Sequence, residues 1–141
     1  MKLNLYNKFL RFLNKKGKIN KARFILNKTF FYLYTVFNKP VFFLFNTFFS
    51  KLNVFVETRF IRIRRTRYAV PFVIGLRRRV FIILKWFFMS LRQNKKKKPY
   101  FFKMAKEIFN ILKNIKNKTV DMKVLNVTKA LQNRSNIHYR W

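Results

Sequence analysis

Arginine is the side chain through which this sequence could do chemistry, and that chemistry is the binding of phosphate. Arg62, Arg64, Arg65 and Arg67 fall within six residues, Arg77, Arg78 and Arg79 follow ten residues later, and Lys95 to Lys98 are four consecutive lysines. A guanidinium is a planar fork that pairs with two phosphate oxygens at once and can stack on a base, whereas lysine supplies a looser point charge. Over the whole chain 34 Lys and Arg face 3 Asp and Glu, a net charge of +31 on 141 residues. Such a charge opposes its own compaction and calls for a polyanion, either nucleic acid or an anionic membrane surface.

Catalysis finds little material. Without cysteine there is no thiolate nucleophile, disulfide or cysteine zinc site. His138 is the one histidine, and Glu57, Glu107 and Asp121 are the only acids, widely spaced. We therefore expect no enzymatic activity, no metal site and no cofactor, with His138 hydrogen bonding or touching phosphate.

The elements that must carry these charges can be read from the apolar spacing. Half the residues are apolar and a fifth are aromatic, including 20 Phe, which disfavours a disordered basic tail. Phe, Lys, Asn, Ile and Tyr have codons rich in A and T, so many rings reflect a biased, organelle-like genome rather than selected contacts. Residues 3–13 read as a first helix, ended by a turn around Gly17. Ala22, Ile25, Leu26, Thr29, Phe30, Leu33 and Phe37 give a second helix over 20–37, stopped by Pro40. The type of 41–51 is open. From Val54 the residues become β-branched and aromatic, and Tyr68, Val70, Phe72 and Ile74 alternate at period two, predicting a β-hairpin over about 54–74 with an arginine-loaded tip.

Helical spacing then returns. Val80, Ile83, Leu84, Phe87, Phe88 and Leu91 line one face over 76–92. Beyond Pro99, Phe101, Met104, Ala105, Ile108, Phe109 and Leu112 line another, with Glu107 placed on the polar side. A last helix is expected over about 121–134. The fold class is mainly α: a bundle of about five to six helices with one protruding β-hairpin arm, in a single domain over 1–141.

Two other readings of the apolar segments are weaker. The N-terminal stretch is basic and free of acids, as a presequence would be, but its spacing suits an ordinary helix. The apolar run 29–52 is interrupted by Asn38-Lys39-Pro40, and neither half reaches the ~20 residues of a spanning helix. A lysine near the bilayer centre would cost about 2.5–3.5 kcal/mol.

Basic residues on every helix suit a folded RNA that touches several faces better than a membrane plane. If ten cations neutralise phosphates, affinity should fall with a log–log salt slope of about −7 to −9. A solvated tip or a guard against edge pairing is the plain alternative for the hairpin arginines, and a solvated loop is the alternative for the lysine run. Tyr68, Trp86, Tyr100, Tyr139 and Trp141 are the rings placed to stack on bases, although Trp86 also borders an apolar helix face and could be core.

Several of these residues form an ordered set. Val56-Glu57-x-Arg59-x-x-Arg62, Tyr68-x-Val70-Pro71 and Arg78-Arg79 with Lys85-Trp86 occur in sequence. Ala105-Lys106-Glu107-Ile108, Asn133-Arg134 and His138-Tyr139-Arg140-Trp141 follow. Near the start, Lys8-Phe9, Gly17-Lys18 and Ala22 join them. The set resembles small-subunit ribosomal protein seven of the bacterial and organellar type, over about residues 8–141. The resemblance implies a helical bundle with an extended hairpin and no catalysis. It implies a protein that binds the 3′ major domain of small-subunit rRNA and organises the head among neighbouring head proteins. The hairpin would reach toward the exit-site tRNA and the mRNA path.

By position, Arg59 and Arg62 then lie on the hairpin, Arg78, Arg79 and Lys85 open the next helix, and Asn133, Arg134 and His138 to Trp141 face rRNA. Together with the charge pattern, this makes the expected RNA-binding set Lys8, Lys18, Arg59, Arg62, Arg64, Arg65, Arg67, Tyr68, Arg77, Arg78, Arg79, Lys85, Arg92, Arg134, His138, Tyr139, Arg140 and Trp141. The family's glycine pair at the hairpin turn is replaced by Arg64-Arg65, and the second basic residue of its G-K-K turn by Ile19. The family's usual tail beyond H-Y-R-W has no counterpart after Trp141, so its contacts should be lacking or supplied by another protein. A mitochondrial ribosome is the expected host, with a plastid second and no membrane span.

Overall fold

The computed structural model describes residues 2–94 and 97–140, with side chains from Leu5 onward. Lys95 and Lys96 of the lysine run, and Trp141, lie outside the described residues. Among those described are six α-helices, a two-stranded antiparallel sheet and a final 3-10 helix. The helices are α1 (Lys2–Leu13), α2 (Ile19–Phe37), α3 (Val41–Lys51), α4 (Leu76–Gln93), α5 (Tyr100–Leu112) and α6 (Lys118–Gln132). The strands are β1 (Val56–Ile63) and β2 (Thr66–Val73), and the 3-10 helix runs Arg134–Tyr139. The segment 41–51, open from sequence, is a helix: Pro40 ends its neighbour and supplies a fixed φ of −59° at its own start. Among the described residues no helix is long and apolar enough to cross a membrane.

The core joins α1 through α5. Phe9, Leu26, Phe48, Leu84, Phe87, Met104 and Ile111 are all fully buried within it. Phe9 sits at the centre, with the rings of Phe45, Phe48, Phe49, Phe87 and Phe88 within 5.2–6.2 Å. Most of these meet edge to face, the arrangement that aromatic quadrupoles prefer. Gly17 takes a φ of +74° in the turn after α1, a conformation that costs glycine nothing.

Glu107 differs from its expected outward position. Three residues after Met104 and four before Ile111, it shares their inner face and accepts hydrogen bonds from Ser90 Oγ and Thr119 Oγ1, each 2.7 Å long. One carboxylate thus ties α4, α5 and α6 together. The last helix starts three residues earlier than expected, because the Asn117 side chain caps it by accepting from the Val120 N–H at 3.0 Å.

A second, smaller cluster holds the root of the hairpin. Val54, Ile74 and Ile82 are buried there with the half-buried Trp86 packed on them. The strands pair from Val56 opposite Val73 to Ile63 opposite Thr66. The loop is only Arg64-Arg65, since Thr66 and Arg67 already pair within β2. Eight residues at about 3.3 Å each give an arm of roughly 26 Å.

Candidate nucleic-acid interface

The tip is built against ordinary preference. Arg64 takes a φ of +52°, the position a two-residue loop usually gives to glycine. Arg62 and Arg67 stand directly opposite each other across the strands, where like charges destabilise a sheet. Arg62 Nε donates to the Arg64 carbonyl at 3.1 Å, which fixes one guanidinium beside the turn. On the same strand face, Phe60 is 77 % exposed. Four arginines and a bare ring therefore surround a short turn with no acid beside them.

Lower on the arm the charges are partnered. Arg78 donates to both Glu57 oxygens, from Nε at 3.0 Å and from a terminal nitrogen at 2.7 Å. Arg59 approaches the same carboxylate at 3.5 Å and lies over the Phe72 ring. The Arg78 hydrogen bonds hold the Glu57 carboxyl below its ordinary value, against the opposing pull of burial, and the charges of Arg78 and Arg59 add to the effect. The Arg78 guanidinium is pushed upward in turn. Arg79 donates to the Ile74 carbonyl at 2.9 Å and lies 4.3 Å from the Phe55 ring centre. Arg78 and Arg79 thus position the arm on α4 as well as carrying charge, a role the sequence did not suggest.

A second group of cations converges where α1 meets α4. Lys8, Arg11 and Phe12 from α1 line one open cleft with Arg77 and Phe81 from α4. Arg11 was missed from sequence, though it lies three residues from Lys8 and so on the same helix face. Arg77 to Arg79 occupy the first turn of α4, the positive end of its dipole, with no acid in the turn itself and Glu57 of β1 answering only Arg78 among them. Cations at that end are unfavourable, and an anion would reverse the sign of the effect. Lys85 and Arg92 are exposed farther along α4, and Lys18 is exposed in the α1–α2 turn.

The C-terminal segment braces the arm. Asn126 Nδ2 donates to the Val56 carbonyl at 2.7 Å, Asn136 Nδ2 to Ala69 at 3.1 Å and Arg140 Nε to Pro71 at 2.6 Å. Tyr68 and Tyr139 pack on each other at 5.0 Å, and His138 lies 4.1 Å from Tyr139, so these rings spend part of their surface within the protein. Tyr100, half-buried against the core, has its hydroxyl pKa raised by burial, with the Arg92 charge acting the other way. His138 and Arg134 are exposed. Of the expected set, the structure brings Arg59, Arg78 and Arg79 together at the arm's root and Tyr68 with His138, Tyr139 and Arg140 along its side. Lys18, Lys85 and Arg92 stand apart from both groups. Among the described residues no cluster of three His, Cys, Asp or Glu could hold a metal.

Comparison with known proteins decides the family. The ribosomal protein S7p/S5e family matches residues 2–134. The chain belongs to that family. A small ribosomal subunit protein, uS7m, of Reclinomonas americana is 28 % identical over 138 residues, covering 98 % of this chain and 86 % of the relative. The S7p/S5e chain described here is a mitochondrial protein, and its helical bundle with one hairpin carries the arginines at the arm's tip and root.

Proposed function

We propose that the protein is a structural component of the mitochondrial small ribosomal subunit that binds the 3′ major domain of its rRNA and organises the head. The family and the mitochondrial relative carry the coarse part, a ribosomal protein of the small subunit with a structural rather than catalytic role. The arginine tip supports the finer part. Arg62 opposed to Arg67, beside Arg64 and Arg65, is a repulsive arrangement that phosphate would neutralise.

In this reading Arg62, Arg64, Arg65 and Arg67 neutralise rRNA phosphates in the head, on an arm that points toward the exit-site tRNA and the mRNA path. Lys8, Lys18, Arg77, Lys85 and Arg92 contact the rRNA backbone from the helices. Arg59, Arg78 and Arg79 contact it at the arm's root while holding that root in place. Tyr68, Arg134, His138, Tyr139, Arg140 and Trp141 meet rRNA along the C-terminal side, and neighbouring head proteins complete the surroundings.

The test is the double substitution Arg64→Ala, Arg65→Ala, which removes two solvent-facing charges and no bond to the body. Small subunits should recruit the variant more weakly, and the log–log salt slope of rRNA binding should become shallower by about 1.4–1.8. Crosslinks of the unaltered chain should fall in the 3′ major domain. Full recruitment with an unchanged slope, or crosslinks scattered over other transcripts, would remove the reading.

A further inference from the structure

The outer face of α2 carries rings that the core does not use. Its buried stripe is Ala22, Leu26, Thr29 and Leu33. Two residues on from each lie Phe24, Lys28, Phe31 and Thr35, roughly 200° around the helix and so facing solvent. Phe24 is 60 % and Phe31 71 % exposed. Lys28 stands between them with its Nζ 4.4 Å from the Phe24 ring centre and 5.8 Å from that of Phe101 on α5. On the flank, Tyr32 meets Phe102 at 5.8 Å, and Lys98 lies 5.0 Å over the same ring. Rings and ammonium groups thus alternate across two helices.

We propose that this α2–α5 ridge is a stacking platform for unpaired RNA bases. A basic groove interleaved with exposed rings is how proteins hold single strands without reading sequence, because every base has a π-face. Phe24 and Phe31 are about 10 Å apart along the helix, and Lys28 sits midway where a backbone phosphate would pass. Charge argues for RNA over a protein partner. α2 contains no acid at all, and the one acid of α5, Glu107, is bonded inward to Ser90 and Thr119. Protein interfaces are depleted of lysine at their centres, and here lysine occupies the centre. The inference rests on the reading of the chain as an RNA-bound ribosomal protein, and adds a site to which that reading assigned nothing.

The test uses small subunits purified with the intact chain. After ultraviolet crosslinking and trypsin digestion, the peptides containing Phe24 and Phe31 should carry nucleotide adducts. In parallel, the full-length double variant Phe24→Leu, Phe31→Leu should bind a short oligouridylate at least about tenfold more weakly than the unaltered chain, with the same salt slope because no charge is lost. Adducts on hairpin peptides alone, or unchanged oligouridylate binding, would overturn the platform and leave the ribosomal reading standing. Crosslinking of Lys28 to another protein, without nucleotide adducts on these peptides, would assign the ridge to a protein neighbour instead. Absence of the chain from small subunits would remove both.

Discussion

The body of the molecule and its arm are held by different physics. The body buries large rings around Phe9, a non-directional stabilisation that grows with apolar area. The arm has the small cluster of Val54, Ile74, Ile82 and Trp86 at its root, with the buried Val70 and the Tyr68–Tyr139 pair along its side. To this modest packing it adds directional bonds: the Glu57–Arg78 pair at the root, and the donations from Asn126, Asn136 and Arg140 to strand carbonyls. A ring-packed body tolerates the charge on its surface. An arm held by a few polar bonds can be exact in direction while leaving its tip free to meet a polyanion.

Substitutions can test that contrast in order of expected effect. Phe9→Ala should be the most damaging, at about 3–5 kcal/mol in urea unfolding of the full chain, because it empties the centre of the ring cluster. Loss of cooperativity throughout the helices should accompany it. Trp86→Ala should cost less, about 2–3 kcal/mol, since the indole is half-buried, and should loosen the arm before the body. Hydrogen exchange across 56–73 checks the second part, and a near-zero cost would make Trp86 a ring for stacking on RNA.

Glu57→Gln should have the smallest effect, about 1 kcal/mol or less, because Arg78 is nearly half exposed and solvent screens the pair. The pH dependence has a definite sign. The Glu57 carboxyl is held below its ordinary value in the folded chain. Its contribution is therefore full above the unfolded value of about 4.3 and is lost as pH falls through the lower folded one. The difference in stability between the unaltered chain and Glu57→Gln should shrink across that acidic range.

The sequence made the backbone plan legible wherever apolar spacing repeats. The face Ile83, Leu84, Phe87, Phe88 and Leu91 on α4 is buried as its period required. The hairpin was visible as a change from helical spacing to alternation. Polar tertiary partners were not visible, because their choice depends on how distant elements meet. Arg78 reads as one of three equivalent arginines until the arm folds back and brings Glu57 to it across 21 residues. Glu107 could have been placed inward from its helical phase with Met104 and Ile111, but its charge argued the other way. Arg11 shares a face with Lys8, and only the approach of Arg77 from α4 turns that pair into a cluster.

The brace on the arm also sets a schedule for synthesis. Asn126, Asn136 and Arg140 lie 70, 67 and 69 residues after the carbonyls they bond. At ~5–20 residues per second, the hairpin leaves the ribosome that makes it about 3–14 s before its brace exists. During that interval the arginine tip is already complete and its direction is not. The nascent arm can thus point over a wide cone, and translation through Arg140 then fixes its angle to the body.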